Sequence, residues 1–142
     1  MNNKIFTCLW FDNQAKEATE HYCSIFENSK ILSENPMIIN FELNGFRFMA
    51  LNGGPMYQFS PATSFVIECE NQQEIDYYWD KLGDGGQYNH CGWLSDKFGV
   101  SCQIVPKILS DLMSNPDKAP KVVAAFLKMS KFDIKTLINA NN

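Results

Sequence analysis

No pair of cysteines at C-x-x-C spacing and no Cys/His cluster at zinc-finger spacing occurs in the 142 residues, although five cysteines are present: Cys8, Cys23, Cys69, Cys91 and Cys102. Their odd number and scatter argue against a disulfide framework or a structural zinc site and read as the reduced thiols of a cytoplasmic protein. Also missing is an apolar run of about 18 residues, the least that spans a bilayer as a helix. The polar first residues lead straight into a strand-like segment and offer no signal-peptide core. Excess positive charge is lacking: 12 Lys and Arg against 16 Asp and Glu give a formal charge of −4. A phosphate backbone finds no basic patch in that balance, so neither nucleic acid nor membrane is an expected partner. Low-complexity tracts are absent as well. What is present is a 45% hydrophobic composition, enough at this length to bury the core of one domain.

The apolar pattern runs through the chain twice. Residues 5–11 form an apolar run of strand length, and Asp12-Asn13 supplies a turn or N-cap before a helical pattern over residues 14–26. Ala15, Ala18, Tyr22, Ile25 and Phe26 share one face of that helix. Residues 30–33 and 37–43 read as strands, the latter turning through Asn44-Gly45, a strong hairpin signal, into residues 46–51. The order then restarts with residues 64–69 as a strand and Asn71 as an N-cap with Glu74 at the capping-box position. Ile75, Tyr78, Trp79 and Leu82 follow on one helical face, ended by Gly83, Gly85 and Gly86. Between the two halves, residues 52–61 are rich in turn formers and aromatics, as a linker that folds over a pocket would be. Beyond Pro106 the pattern turns helical: residues 107–113, a break at Asn115-Pro116-Asp117, a helix through Val122 to Met129, and a last helix with Asp133 as N-cap. The apolar stripe of this tail needs either the chain's own sheet or a partner chain to cover it.

Residues 91–106 read as a β-hairpin with Gly99 in its connection, and its second strand sets the amide of Gln103 inside an apolar run. Such an amide lines a pocket or satisfies local backbone groups. Trp10, Trp93 and Phe48 suit an aromatic slot for a flat apolar molecule or the core, whereas Trp79 lies on an apolar helix face and reads as core. His90 and Cys91, adjacent on an extended segment, point to opposite sides and do not form a nucleophile pair. Glu68 and Glu70 share a face, with a solvent-facing strand edge as the simpler account than acid/base chemistry. Arg47, the single arginine, follows the hairpin turn and suits a surface ion pair or an anionic ligand. Cys8 and Cys102 read as small core residues on strands, and His21 as a surface imidazole.

Several blocks together carry a resemblance over nearly the whole chain: Cys8-Leu9-Trp10-Phe11-Asp12 with Glu17-Ala18, Phe48-Met49-Ala50-Leu51-Asn52-Gly53-Gly54-Pro55, Cys91-Gly92-Trp93 on to Pro106, and Met129, Asp133-Ile134 and Leu137 in the tail. The chain resembles the PhnB-like, or 3-demethylubiquinone-9 3-methyltransferase-like, branch of the vicinal oxygen chelate superfamily, which holds the glyoxalases, bleomycin-resistance proteins and extradiol dioxygenases. The resemblance implies an α+β glyoxalase/bleomycin-resistance/dioxygenase fold: two βαβββ modules, about residues 4–52 and 62–106, forming a cleft within one domain of residues 1–106, with residues 107–142 as its helical extension. It also implies a homodimer. One departure is Ser33-Glu34-Asn35-Pro36-Met37, short where relatives carry a longer Gly-rich loop.

Metal-using members of the superfamily hold a divalent ion with four inward His, Glu or Gln side chains on the first, fourth, fifth and eighth strands. The resemblance sets Thr7, a residue among 50–52, Ser64 and Gln103 at those places. Hydroxyls and amides neither neutralise a divalent ion nor offset its dehydration, so a cleft without metal is expected. The methyltransferase name finds no adenosylmethionine fingerprint in Gly53-Gly54 or Gly85-Gly86, and no cofactor is expected. The implied function is binding or sequestering a small organic molecule of unknown identity, with Trp10, Asn52, Ser64, Trp93 and Gln103 contacting it. No catalytic residue is assigned. The alternative is a small-molecule enzyme, either a metal-dependent lyase or dioxygenase or the methyltransferase of the family name.

Overall fold

The computed structural model describes residues 4–142 and divides into two compact units, Met1–Phe59 and Ser60–Asn142. In the first unit, β1 (Thr7–Phe11) leads to α1 (Ala15–Ile25), then β2 (Lys30–Glu34), β3 (Ile38–Leu43) and β4 (Phe46–Asn52). The sheet order is β1-β4-β3-β2, with β1 parallel to β4 and the other pairs antiparallel. Alternation along the strands sends Leu9, Phe11, Ile39, Phe41 and Ala50 to one face, where all are buried with Ala15, Ala18, Tyr22 and Ile25 of α1. The hairpin expected at Asn44-Gly45 is present with both residues left-handed, φ 53° and 83°, as a two-residue turn of matching twist requires.

The start of α1 differs from the sequence expectation. Asn13 supplies the turn at φ 63°, but no side chain at the helix start caps it. The cap comes instead from the end of β4: Asn52 Oδ1 accepts from the Ala15 N–H at 2.9 Å. The helix therefore begins where β4 ends, tying the two elements through one amide.

The second unit repeats the plan: β5 (Ser64–Cys69), α2 (Gln72–Gly83), β6 (Gln87–Tyr88), β7 (Trp93–Ser95) and β8 (Ser101–Pro106), in the order β5-β8-β7-β6 with β5 parallel to β8. Asn71 caps α2 by accepting from the Glu74 N–H at 2.9 Å, and Glu74 Oε1 reaches back to the Glu70 N–H at 2.6 Å. The capping box is thus present, with its return bond displaced by one residue. Ile75, Trp79 and Leu82 bury against Leu94, Cys102 and Ile104. In the β7–β8 connection, buried Asp96 accepts from the Phe98 and Val100 N–H groups, each at 2.9 Å, and Gly99 takes φ 90°.

The tail comprises α3 (Leu109–Leu112), shorter than the 107–113 stretch expected, α4 (Ala119–Phe126) and α5 (Ile134–Ala140), the last capped by Asp133 accepting from the Thr136 N–H at 3.0 Å. Its cover lies within its own unit. Gln72 of α2 donates to the Phe132 carbonyl and accepts from the Ile134 N–H, both at 2.9 Å, and Lys131 pairs with Asp76 at 2.9 Å. The Cys91 and Gly92 N–H groups donate to Met129 and Ser130 carbonyls at 2.9 and 2.8 Å, while Val122, Phe132 and Leu137 are buried.

Candidate functional site

Each sheet carries its helix on one face, so the opposite face is where a ligand could meet side chains in register. On the second sheet that face holds Ser64 and Gln103 on the parallel pair β5 and β8, and Trp93 on β7 directly opposite Gln103. Gln103 Nε2 donates to Ser64 Oγ at 3.0 Å, which orients the amide with its oxygen unclaimed by any hydrogen bond among the described residues. All three side chains are half-buried. Three residues singled out from the sequence therefore stand together, as an indole beside an uncharged amide and hydroxyl.

On the first sheet, Trp10 points away from α1, on the same face as Leu51 of β4. Its indole N–H donates to the Gly54 carbonyl at 2.8 Å, and Tyr57 meets the ring edge-on at 5.0 Å between centroids. A Cβ on Gly53 would strike the indole, so only glycine lets the linker lie this close. The aromatic linker does fold over Trp10.

Asn52 is placed differently. It lies on the helix-covered face, its oxygen capping α1 and its nitrogen donating to the Pro36 carbonyl at 3.1 Å, so both ends of the amide are engaged in holding the fold. Cys8, read as core, is exposed on the face opposite α1. Sequence reasoning favours a surface ion pair for Arg47, and the structure does not bear that out. The side chain is exposed, no ion pair of Arg47 occurs among the described residues, and its guanidinium lies 3.9 Å over the Phe6 ring. Glu70 pairs with Lys107 at 3.2 Å in solvent, and Glu68 is exposed, as the strand-edge account requires.

The donor set does not fit the divalent ion of metal-using relatives. Thr7 shares the helix-covered face with Leu9 and Phe11, and Ser64 and Gln103 supply a hydroxyl and an amide that bond each other. No group of three His, Cys, Asp or Glu able to hold a metal occurs among the described residues. Nor do the strand-to-helix turns fit adenosylmethionine: Asp12-Asn13-Gln14 after β1 and Glu70-Asn71 after β5 contain no glycine to admit a phosphate or a nucleoside close to the backbone.

The family model described as 3-demethylubiquinone-9 3-methyltransferase matches residues 3–105. A PhnB protein from Bacillus cereus, named for the same methyltransferase, is 33% identical, with a TM-score of 0.68 over 73% of this chain and 99% of that one. A glyoxalase-related enzyme from Fulvimarina pelagi is 14% identical, with a TM-score of 0.52 over 75% of this chain and 91% of that one. The fosfomycin resistance protein FosX from Listeria monocytogenes is 9% identical, with a TM-score of 0.52 over 72% of this chain and 88% of that one. The comparison with curated proteins found no match. The last two likenesses speak for the fold alone, whereas the first, with the family model, speaks for descent. This chain belongs to the PhnB-like, 3-demethylubiquinone-9 3-methyltransferase family and has the glyoxalase/bleomycin-resistance fold.

Proposed function

We propose that this protein binds and sequesters a small organic molecule on a sheet face that its helix leaves open, without metal or cofactor and without converting it. One observation carries the reading: Trp93, Gln103 and Ser64 stand together on one face as an aromatic surface beside a preoriented amide. An indole gives large contact area at small entropic cost, and the amide oxygen offers directional recognition to a ligand N–H or O–H. Among these three side chains no general base stands ready to activate the Ser64 hydroxyl, and one neutral amide with one hydroxyl does not hold a divalent ion. The working form we propose is a cytoplasmic homodimer. Apolar side chains left exposed on edge strand β2 and just after it, namely Leu32 and Met37, support self-association. No helix among the described residues is long and apolar enough to cross a membrane.

Elemental analysis of the purified protein for divalent metals, together with calorimetric titration of S-adenosylmethionine, tests this against the enzyme alternative. Neither should reach stoichiometric occupancy. One tightly held transition ion per chain, or saturable adenosylmethionine binding, would move the assignment to metal-assisted chemistry or methyl transfer.

A further inference from the structure

We propose that the face of the first sheet opposite α1 selects an organic anion with a flat apolar body, its charge held by Arg47 and its body lying against Trp10. The inference rests on the binding function above and adds the ligand's charge. Alternation along β1 and β4 puts Phe6, Trp10, Arg47 and Leu51 on this one face. Arg47 is fixed from two sides. Its Nη2 donates to Asn40 Oδ1 at 3.2 Å, Asn40 Nδ2 donates in turn to Ser33 Oγ at 3.1 Å, and the guanidinium plane is held over Phe6.

Glu42, opposite Arg47 in the register of β3 and β4, forms no ion pair with it. A planar donor fork is thus held by a ring and an amide while most of its donors have no acceptor among the described residues. This geometry matches a carboxylate or sulfonate oxygen pair, and holding the fork in place lowers the entropy lost when the anion arrives. In a chain of net charge −4 with one arginine, that position is a local exception to the overall charge. Trp10 stands four residues further along β1 than Phe6, roughly 13 Å at the rise of a parallel strand. Charge and aromatic surface are therefore separated by about the length of a fused-ring molecule, with Cys8 on β1 and Met49 on β4 between them.

Anilinonaphthalene sulfonate and its uncharged parent phenylnaphthylamine share a body and differ in the anion, so fluorescence titration with both dyes isolates the charge. The sulfonate should saturate one site per chain and bind about ten-fold more tightly than the neutral dye. Arg47→Gln should erase that preference while leaving phenylnaphthylamine binding unchanged, and Arg47→Lys should restore part of it. Raising salt on the unaltered protein should weaken the sulfonate alone, a readout that needs no variant. Equal affinity for the two dyes, or a preference that survives Arg47→Gln, would overturn the anion assignment and leave the binding function standing. Failure of both dyes to saturate would overturn the assignment of a binding face to the first sheet, while the reading built on Trp93, Gln103 and Ser64 stands or falls by its own test.

Discussion

At the scale of single residues, the thiols differ in ways that the sequence count alone does not show. Burial pushes Cys69 up to about 12, with the Glu74 carboxylate adding to it, and burial beside Asp96 does the same for Cys102, also to about 12. Thiolate is the reactive form, so neither should be modified by an alkylating reagent at mildly alkaline pH while the fold holds. Mass spectrometry of protein labelled under native conditions should find Cys8, which is exposed, modified before Cys69 or Cys102, and denaturant should equalise all of them. Gly92 makes a second residue-scale prediction. At φ 79° a Cβ would lie 2.6 Å from the Ile104 carbonyl oxygen and 2.5 Å from the Phe132 ring. Gly92→Ala should therefore cost at least about 2 kcal/mol in chemical denaturation, combining backbone strain with a clash against a strand. Trp93 and Gln103 are legible as neighbours because β7 and β8 form a local hairpin, whereas Ser64, on β5, joins them in the sequence reading only through the family resemblance. The placement of Asn52 is not legible. Phe46-Arg47-Phe48-Met49-Ala50-Leu51-Asn52 is apolar at nearly every position, so its period-two signal is lost and nothing in the string says which parity meets the helix.

At the scale of elements, that same Asn52 becomes a structural tie whose removal can be measured. Asn52→Ala should lose the cap of α1 and the bond to Pro36 together, about 1–2 kcal/mol of stability, whereas Asn52→Asp should keep the cap by retaining an acceptor at the helix start. The tail offers a pH-dependent counterpart. Hydrogen bonds from Lys131 and then Gln72 hold the Asp76 carboxyl below its ordinary range, and the bond to Asp76 raises Lys131. A lowered carboxyl contributes stability that is complete above its unfolded value and is lost as pH falls through the folded one. Both side chains are well exposed, 46% and 39%, so solvent screening limits the pair to no more than about 1 kcal/mol. Lys131→Met should lower the denaturation midpoint slightly at neutral pH and leave it unchanged in strong acid, where Asp76 is protonated in both proteins. Most elements announced themselves through period and punctuation: Asn44-Gly45, Asn71 with Glu74, and Asp133 all act as their residue types predict. The exceptions are those with too little sequence to carry a period. β6 is two residues, Gln87–Tyr88, both exposed, and α3 is a four-residue turn.

At the scale of the molecule, the duplicated topology β1-β4-β3-β2 and β5-β8-β7-β6 gives each unit one helix-covered face and one face for other uses. The two such faces are chemically distinct. One carries a neutral amide and hydroxyl beside Trp93, the other a supported guanidinium in line with Trp10. The tail is accounted for within the second unit, by Gln72, Gly92 and the burial of Leu137, while in the first unit β2 is an edge strand of its sheet. There Leu32 and Met37 are 44% and 59% exposed, on and just after a strand, β2, whose residues are all exposed. An edge of that kind invites pairing unless something blunts it, and Lys30 and Glu34 at its ends are a weak deterrent. If a second copy covers it, sedimentation at micromolar concentration should show a dimer that dissociates on dilution, and the melting temperature should rise with protein concentration. Leu32→Lys with Met37→Ser should shift the equilibrium to monomer while leaving the fold of each unit intact, since neither side chain contributes to the core. A species that sediments as a monomer at every concentration, with a melting temperature independent of dilution, would remove the edge as an interface.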